Sequence, residues 1–403
     1  MKKRILFVGE DQPLWQEFQQ LSTGAESVWA ADFAGTGPEA LALVERFSFD
    51  AVVVDVGLSG KSGVDLLDEI MQRQPNALRL LLSEIEDARS TVKCIGKAHQ
   101  HLLKPCDALM VSHALHQALE LQAWLPGDAI SELIARMRWV PSPPGIYAEM
   151  LVEMQSLNTS VDRIGEIIAR DPAVTAKVLQ LANSAMYALH LEVVQPMEAV
   201  AYIGLETTKA LVLLAHTFSS FDKLQLVGFS AESLWQHSLL TGQFARRIAA
   251  LENSGPKLAE QAFAAGLLHD IGKLLLAANL PEPFGQALAL AQAKNCQSWE
   301  AETQIFGASH AELGACMLGI WGLPMPIIKA VALHHCPSRC LGQGFSPLTA
   351  VHAGNVLGHE ARMEYSTRIR GEVDSVYMKD LGLDQRIEEW RRHCLDPKAV
   401  AAA

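Results

Sequence analysis

Ser48-Phe49-Asp50-Ala51-Val52-Val53-Val54-Asp55-Val56-Gly57-Leu58-Ser59-Gly60-Lys61-Ser62-Gly63 is the stretch on which the fold turns. Ala51 to Val54 are small or β-branched and uninterrupted, with polar and glycine-rich flanks, the pattern of a parallel strand buried on both faces. Asp55 ends that run. It therefore stands at the carboxyl end of the strand, where open α/β sheets place their ligands. A carboxylate there is costly to bury unless something pairs with it. Partners are available at the ends of similar runs: Glu10-Asp11 after Ile5-Leu6-Phe7-Val8, Ser83 after Leu80-Leu81-Leu82, and Lys104 after Leu102-Leu103. Carboxylates from two strands can share a magnesium ion. A hydroxyl and an ammonium can meet the oxygens of a phosphoryl group carried on Asp55.

Working outward, apolar runs at 5–8, 28–31, 51–54, 79–82 and 100–103 alternate with helical stretches long enough for right-handed crossovers. This predicts a doubly wound α/β module on a five-stranded parallel sheet. An amphipathic helix from Asp107 to Trp124 closes it, and Leu125-Pro126-Gly127-Asp128 breaks that helix. These residues resemble the receiver domain of bacterial two-component response regulators over about 1–122. The resemblance implies that Glu10, Asp11 and Asp55 bind magnesium, that Asp55 is the phosphoacceptor, and that Ser83 and Lys104, with Pro105 following, sense the phosphoryl group. It implies a sensor histidine kinase or phosphotransfer protein as the source of that group. Two positions depart from the family pattern. His101 occupies the switch position, where an aromatic residue is usual, and Ser59 and Lys61 replace more typical loop residues.

From about 129 onward strand signals fade and helices succeed one another, punctuated by Pro and Gly. Asp171-Pro172 marks a helix start, with Asp as N-cap and Pro at the first helical position. Val174, Val178 and Leu181 share one face of that helix, and Asn183-Ser184 closes it. The run from Ile167 through Ser184, followed by Met197-Glu198-Ala199-Val200-Ala201-Tyr202-Ile203-Gly204, resembles the opening of an HDOD domain, an all-helical relative of HD phosphohydrolases. The expected organisation is a receiver domain at 1–122, a linker at 123–130, an HDOD domain at 131–360, and a helical extension and tail at 361–403. In the tail, 361–376 reads as a solvated face. Leu383 to Cys394 reads as a short amphipathic helix, able to dock on the body or on a second chain.

The second module also holds a histidine constellation. His237, the pair His269-Asp270, His310, and the pair His334-His335 each fall on or after an apolar helical face. A lone inward histidine is usually a satisfied core residue. Five with an adjacent carboxylate resemble the metal cluster of HD hydrolases, in which a divalent metal of the Fe, Mn, Zn or Ni class activates water and a nearby Lys, here Lys273, neutralises charge. The late carboxylate of that family is replaced by Asn355. His352 and His359 share its helical face and offer substitute ligands. The GYP sequence of cyclic-di-GMP phosphodiesterases is absent, since His334-His335 run into Cys336-Pro337-Ser338-Arg339. The missing carboxylate favours reuse of these groups as a polar core network in a non-catalytic output domain that signals by protein–protein contact. The alternative is a phospho-regulated, metal-dependent phosphohydrolase or phosphodiesterase of the HD type.

Composition bounds the rest. With 403 residues the chain is long enough for two or three domains, and its net charge of −12, with no basic stripe, argues against a nucleic-acid partner. No apolar run is long enough to span a bilayer, and the start of the chain does not read as a signal peptide. Seven irregularly spaced cysteines suit reduced thiols in the cytoplasm, and Cys336 and Cys340 read as loop residues rather than half of a zinc site. The expected partners are the kinase, an unidentified downstream protein, and a second copy of the chain in a homodimer.

Overall fold

The computed structural model describes residues 2–10, 12–23, 29–58, 62–75, 77–83, 100–104, 106–122, 127–137, 145–155, 160–183, 193–219, 228–321, 323–340, 344–362 and 372–396. The chain divides into two units. The first comprises Met1–Ala135, Val140–Ser142 and Cys316–Leu323, and the second Arg136–Trp139, Pro143–Ala315 and Pro324–Ala403.

The first unit is built on strands β1 (Lys3–Val8), β2 (Trp29–Ala34), β3 (Ala51–Asp55), β4 (Leu78–Ser83) and β5 (Gln100–Leu103). They form one five-stranded parallel sheet in the order β2-β1-β3-β4-β5. Alternation along the strands sorts side chains to two cores. Leu6, Val8, Val52, Val54 and Leu81 pack with Val44, Leu66, Leu67 and Ile70 from helices Gly37–Arg46 and Gly63–Arg73. Ile5, Phe7, Val53, Leu80 and Leu82 pack on the opposite face with Leu14, Phe18, Val111 and Leu115 from helices Gln12–Thr23 and Ala108–Gln122. Local chemistry starts the helices: the Thr36 and Ser62 side chains accept the amides of Glu39 and Val64. Because the strand order reverses direction between β1 and β3, the crevice above their carboxyl ends is the natural ligand site. Asp55 ends β3 there.

The second unit is helical throughout its described elements. Its helix starts follow the sequence signals. Asp171 Oδ1 accepts the amide of Val174, Ser230 accepts that of Ser233, and Pro196, Pro256 and Pro281 occupy first turns. Helix Ala231–Leu251 packs against both Pro256–Leu268 and Pro347–Arg362. The packing is close because the crossing residues are small. A Cβ added to Gly266 would sit 2.6 Å from the Cα of Gly242.

The tail differs from its reading in one respect. Helix Ser375–Asp380 buries Tyr377 and Met378 just past the stretch read as a solvated face, in which Glu372, Ser375 and Val376 are exposed. The last helix, Ile387–Cys394, follows a separate 3-10 turn at Asp384–Arg386 and docks on its own chain. Trp390 Nε1–H and the Arg386 guanidinium both donate to Glu252 Oε1, and Arg391 makes a two-pronged bridge to Glu360. No single helix among the described residues is long and apolar enough to cross a bilayer.

Candidate functional site

Two sites stand out, one in each unit. In the first, the Asp55 side chain is nearly buried at the end of β3. Its Oδ2 accepts the Lys104 ammonium at 2.5 Å, and its Oδ1 accepts the Gly57 amide at 3.0 Å. Lys104 is delivered by β5, whose pairing continues one step past the strand as Lys104 N–H donates to Ser83 O at 2.9 Å. Asp55 pairs with Leu82 in register, so Ser83, buried just beyond, belongs to the same end of the sheet. Glu10 lies exposed two residues past the Val8–Val54 pairing of β1 with β3. Asp11, Pro105 and the loop positions Ser59 and Lys61 lie outside the described residues, as does the side chain of His101, whose backbone is in β5.

In the second unit the helix ends converge. His237 comes from Ala231–Leu251, His269 and Asp270 from the junction between Pro256–Leu268 and Ile271–Asn279, and His310 from the first position of His310–Ile320. His334 follows Met325–Leu333, and Asn355 lies within Pro347–Arg362. Gly272 allows the convergence, because a Cβ there would lie 2.0 Å from the His310 carbonyl oxygen. Two sets of ligand atoms gather within 4.8 Å of one another: Asp270, His310, His334 and His335, and, sharing the same carboxylate, His237, His269 and Asp270.

The hydrogen bonds assign protons. The Nδ1 atoms of His269 and His334 face the carbonyls of Gly266 and Val331 at 2.7 and 2.8 Å. A carbonyl only accepts, so both Nδ1 atoms carry hydrogen and both Nε2 atoms keep a lone pair. Those Nε2 atoms are buried without a hydrogen-bond partner, 3.4 and 3.8 Å from the carboxylate oxygens of Asp270. Lone pairs that face a buried carboxylate repel it, and a cation between them would convert the repulsion to attraction. His335 Nε2 lies 3.1 Å from His310 Nε2.

Charge is unevenly shared. Burial opposes ionisation of Asp270, but Lys273 and His310 outweigh it and hold the carboxyl well below the usual range. Lys273 donates to Asp270 Oδ2 at 2.7 Å. Burial by itself lowers His310, the opposite of its effect on a carboxyl, yet the charge of Glu302 and its hydrogen bonds to Asp270 and Glu302 raise it overall. Burial, joined by neighbouring cations and histidines, pushes His237, His334 and His335 far below the ordinary histidine value.

Asn355 Oδ1 meets His237 Nε2 at 2.9 Å, so the amide that stands in place of the family's late carboxylate caps this histidine. Of the two proposed substitutes, His359 stacks on His237 with ring centres 4.2 Å apart. His352 is excluded as a ligand: its Nδ1–H donates to His334 O at 2.7 Å and its Nε2 accepts the Asp374 amide at 2.8 Å. Both nitrogens are committed.

Two contributors were not singled out in the sequence. Glu302 Oε2 accepts both the backbone amide of His310, at 2.7 Å, and its Nδ1–H, at 2.5 Å. Trp299, one helical turn earlier, stacks on His335 with centres 5.8 Å apart. Their i, i+3 spacing puts them on one helix face, but nothing local told that face from an ordinary amphipathic one.

A family model for the response regulator receiver domain matches residues 5–116, and one for the HDOD domain matches residues 140–337. The chain is a receiver domain fused to an HDOD domain. An uncharacterized protein of Treponema pallidum is 26% identical over 196 residues, 49% of this chain and 37% of that one. The hydrogenase transcriptional regulatory protein HoxA of Cupriavidus necator is 30% identical over 92 residues, 22% of this chain and 19% of that one. The matches thus span well under two thirds of either relative. The crystal structure of an HDOD domain protein of unknown function from Geobacter sulfurreducens is similar in fold at 21% identity and a TM-score of 0.52, over 68% of this chain and 91% of that one. The helical cluster therefore lies in and just beyond the HDOD match, with Asn355 past its end.

Proposed function

We propose that this protein is a cytoplasmic response regulator whose receiver domain takes a phosphoryl group on Asp55 from a sensor histidine kinase or phosphotransfer protein, and whose HDOD domain passes the signal to a downstream protein. The observation that carries this is the setting of Asp55: a nearly buried carboxylate at the switch point of the sheet, with an ammonium on one oxygen and a backbone amide on the other. The residues suit magnesium, since β1, which pairs with the strand ending in Asp55, is followed in sequence by Glu10 and Asp11, whose carboxylates are hard oxygen donors. An Asp55 oxygen would attack phosphorus as the bond to the donor breaks, giving an acyl phosphate. Lys104 and Ser83 would read the added charge. The test is labelling by acetyl phosphate with magnesium. Asp55→Asn should abolish it, and so should Glu10→Gln combined with Asp11→Asn. Labelling that survives Asp55→Asn would refute the assignment. Size-exclusion chromatography with and without acetyl phosphate reads whether two copies pair.

A second reading is favoured by the bare Nε2 atoms of His269 and His334 facing Asp270. Their donor set fits a divalent metal, with Asp270, His310, His334 and His335 as the residues that would hold it. The His237 side is the poorer half, because Asn355 brings no negative charge. When bound, such an ion supplies a Lewis acid for phosphoester hydrolysis. The chain's own residues prepare the place: Lys273 and His310 keep Asp270 ionised, and Glu302 holds His310 by Nδ1. Metal analysis of the purified chain, with hydrolysis of a model phosphodiester, tests this reading. Failure to take up manganese, cobalt or zinc would remove it.

A further inference from the structure

His352 lies outside the metal-ligand set, but its imidazole is fixed at both ends. A carbonyl can only accept and a backbone amide can only donate, so the bonds to His334 O and from Asp374 N force the neutral, Nδ1-protonated form. The ring thus ties the turn carrying His334 and His335 to a segment well past the HDOD match. That segment is anchored. Asp374 caps helix Ser375–Asp380 by accepting the Tyr377 amide at 3.0 Å, and its carboxylate also takes a hydrogen bond from Ser338, in the 3-10 turn just after the histidine pair. Tyr377 OH meets Thr349 Oγ1 at 2.8 Å, on the helix that carries His352. The His334–Arg339 turn is therefore gripped from two directions, by His352 at its first residue and by Asp374 at Ser338.

We propose that His352, held by the backbone amide of Asp374, is a positioning residue that sets the pose of the His334 imidazole, so that the segment from 372 to 380 belongs to the metal centre's supporting layer. The proposal rests on the metal reading above but has its own structural readout. His334 follows helix Met325–Leu333; Val331 O holds its ring by Nδ1, and the bond from His352 to its carbonyl fixes the backbone from which that ring projects. Outer groups that orient ligands in this way typically change metal affinity by about 10–100-fold when removed.

The test uses the full chain and four variants. His352→Leu removes both bonds, whereas His352→Asn keeps a side-chain amide donor near the Nδ1 position. Asp374→Pro removes the amide donor at a residue whose φ of −63° a proline can adopt, and Asp374→Ala removes the cap but keeps the donor. Cobalt(II) binding is followed by titration and by its visible spectrum. The imidazole ¹⁵N signals of the metal-free chain report ring protonation and environment, and thermal unfolding gives the stability control. The expected result is about 10–100-fold weaker cobalt binding and an altered spectrum for His352→Leu, with unchanged stoichiometry and substantial rescue by His352→Asn. Asp374→Pro should weaken binding more than Asp374→Ala. In the metal-free chain the His334 ¹⁵N signals should move in His352→Leu. Wild-type affinity and spectrum in His352→Leu would overturn the proposal, and so would loss of one bound ion, which would make His352 a ligand. Equal weakening in the Leu and Asn variants that merely tracks lost thermal stability would also overturn it. If the wild-type chain takes up no cobalt the metal reading fails, and the proposal then stands or falls on whether the His334 ¹⁵N signals of His352→Leu move or match wild type.

Discussion

At the scale of single residues, Asp270 and Glu302 divide the electrostatic work of the helical cluster. Asp270 faces two bare histidine nitrogens, while Glu302 sits behind His310 and accepts from it twice. A carboxylate behind a ligating imidazole fixes its tautomer and raises its basicity. Glu302→Gln should therefore weaken manganese binding by about 10–100-fold with little change in stoichiometry, read by isothermal titration. Unchanged affinity would show that His310 is held by packing alone. Gly272 makes a different prediction. An alanine methyl group would have to occupy space 2.0 Å from the His310 carbonyl oxygen, and both elements are buried. Overpacking of this kind costs about 1–3 kcal/mol, so Gly272→Ala should lower the urea midpoint of the helical domain's transition. A midpoint equal to wild type would mean that the helix junction can move apart freely.

At the scale of elements, the docked C-terminal helix staples the two helices that supply His237 and Asn355. Trp390 is fully buried and shares Glu252 with Arg386, while Arg391 reaches Glu360. Trp390→Ala should destabilise the helical domain by about 3–5 kcal/mol, measured by chemical denaturation, because it opens a cavity and leaves Glu252 with the Arg386 donor but without the indole N–H. A loss below about 1 kcal/mol would indicate that the staple is ornamental. In the receiver domain the elements were readable in advance for a simple reason: each strand carries a continuous apolar run, and a parallel sheet covered on both faces demands that pattern. In the helical domain, Asp171-Pro172 marked a helix start, and the Asp171 carboxylate does cap it. Which faces meet was less legible. The apolar character is high on nearly every side of these helices, and a helix hydrophobic all round does not name its neighbour.

At the scale of the whole molecule, a phosphoryl group on Asp55 adds charge at one site, and the HDOD domain is expected to register it. Treatment with acetyl phosphate and magnesium should alter amide hydrogen exchange in peptides of the HDOD domain, and Asp55→Asn should abolish the change. Identical exchange with and without phosphorylation would separate the two domains functionally. Residue order alone determined the two-domain plan, the parallel sheet, the position of Asp55 at a strand end and the gathering of histidines on apolar helix faces, because periodicity and strand ends are local properties of a chain. Tertiary structure alone decided that His352 braces the cluster while His269 and His334 leave bare nitrogens in it, that Glu302 and Trp299 join it, and that Asn355 caps His237. Those outcomes depend on which carbonyl or amide lies across from each ring, and such partners come from residues tens of positions away whose approach only packing can set.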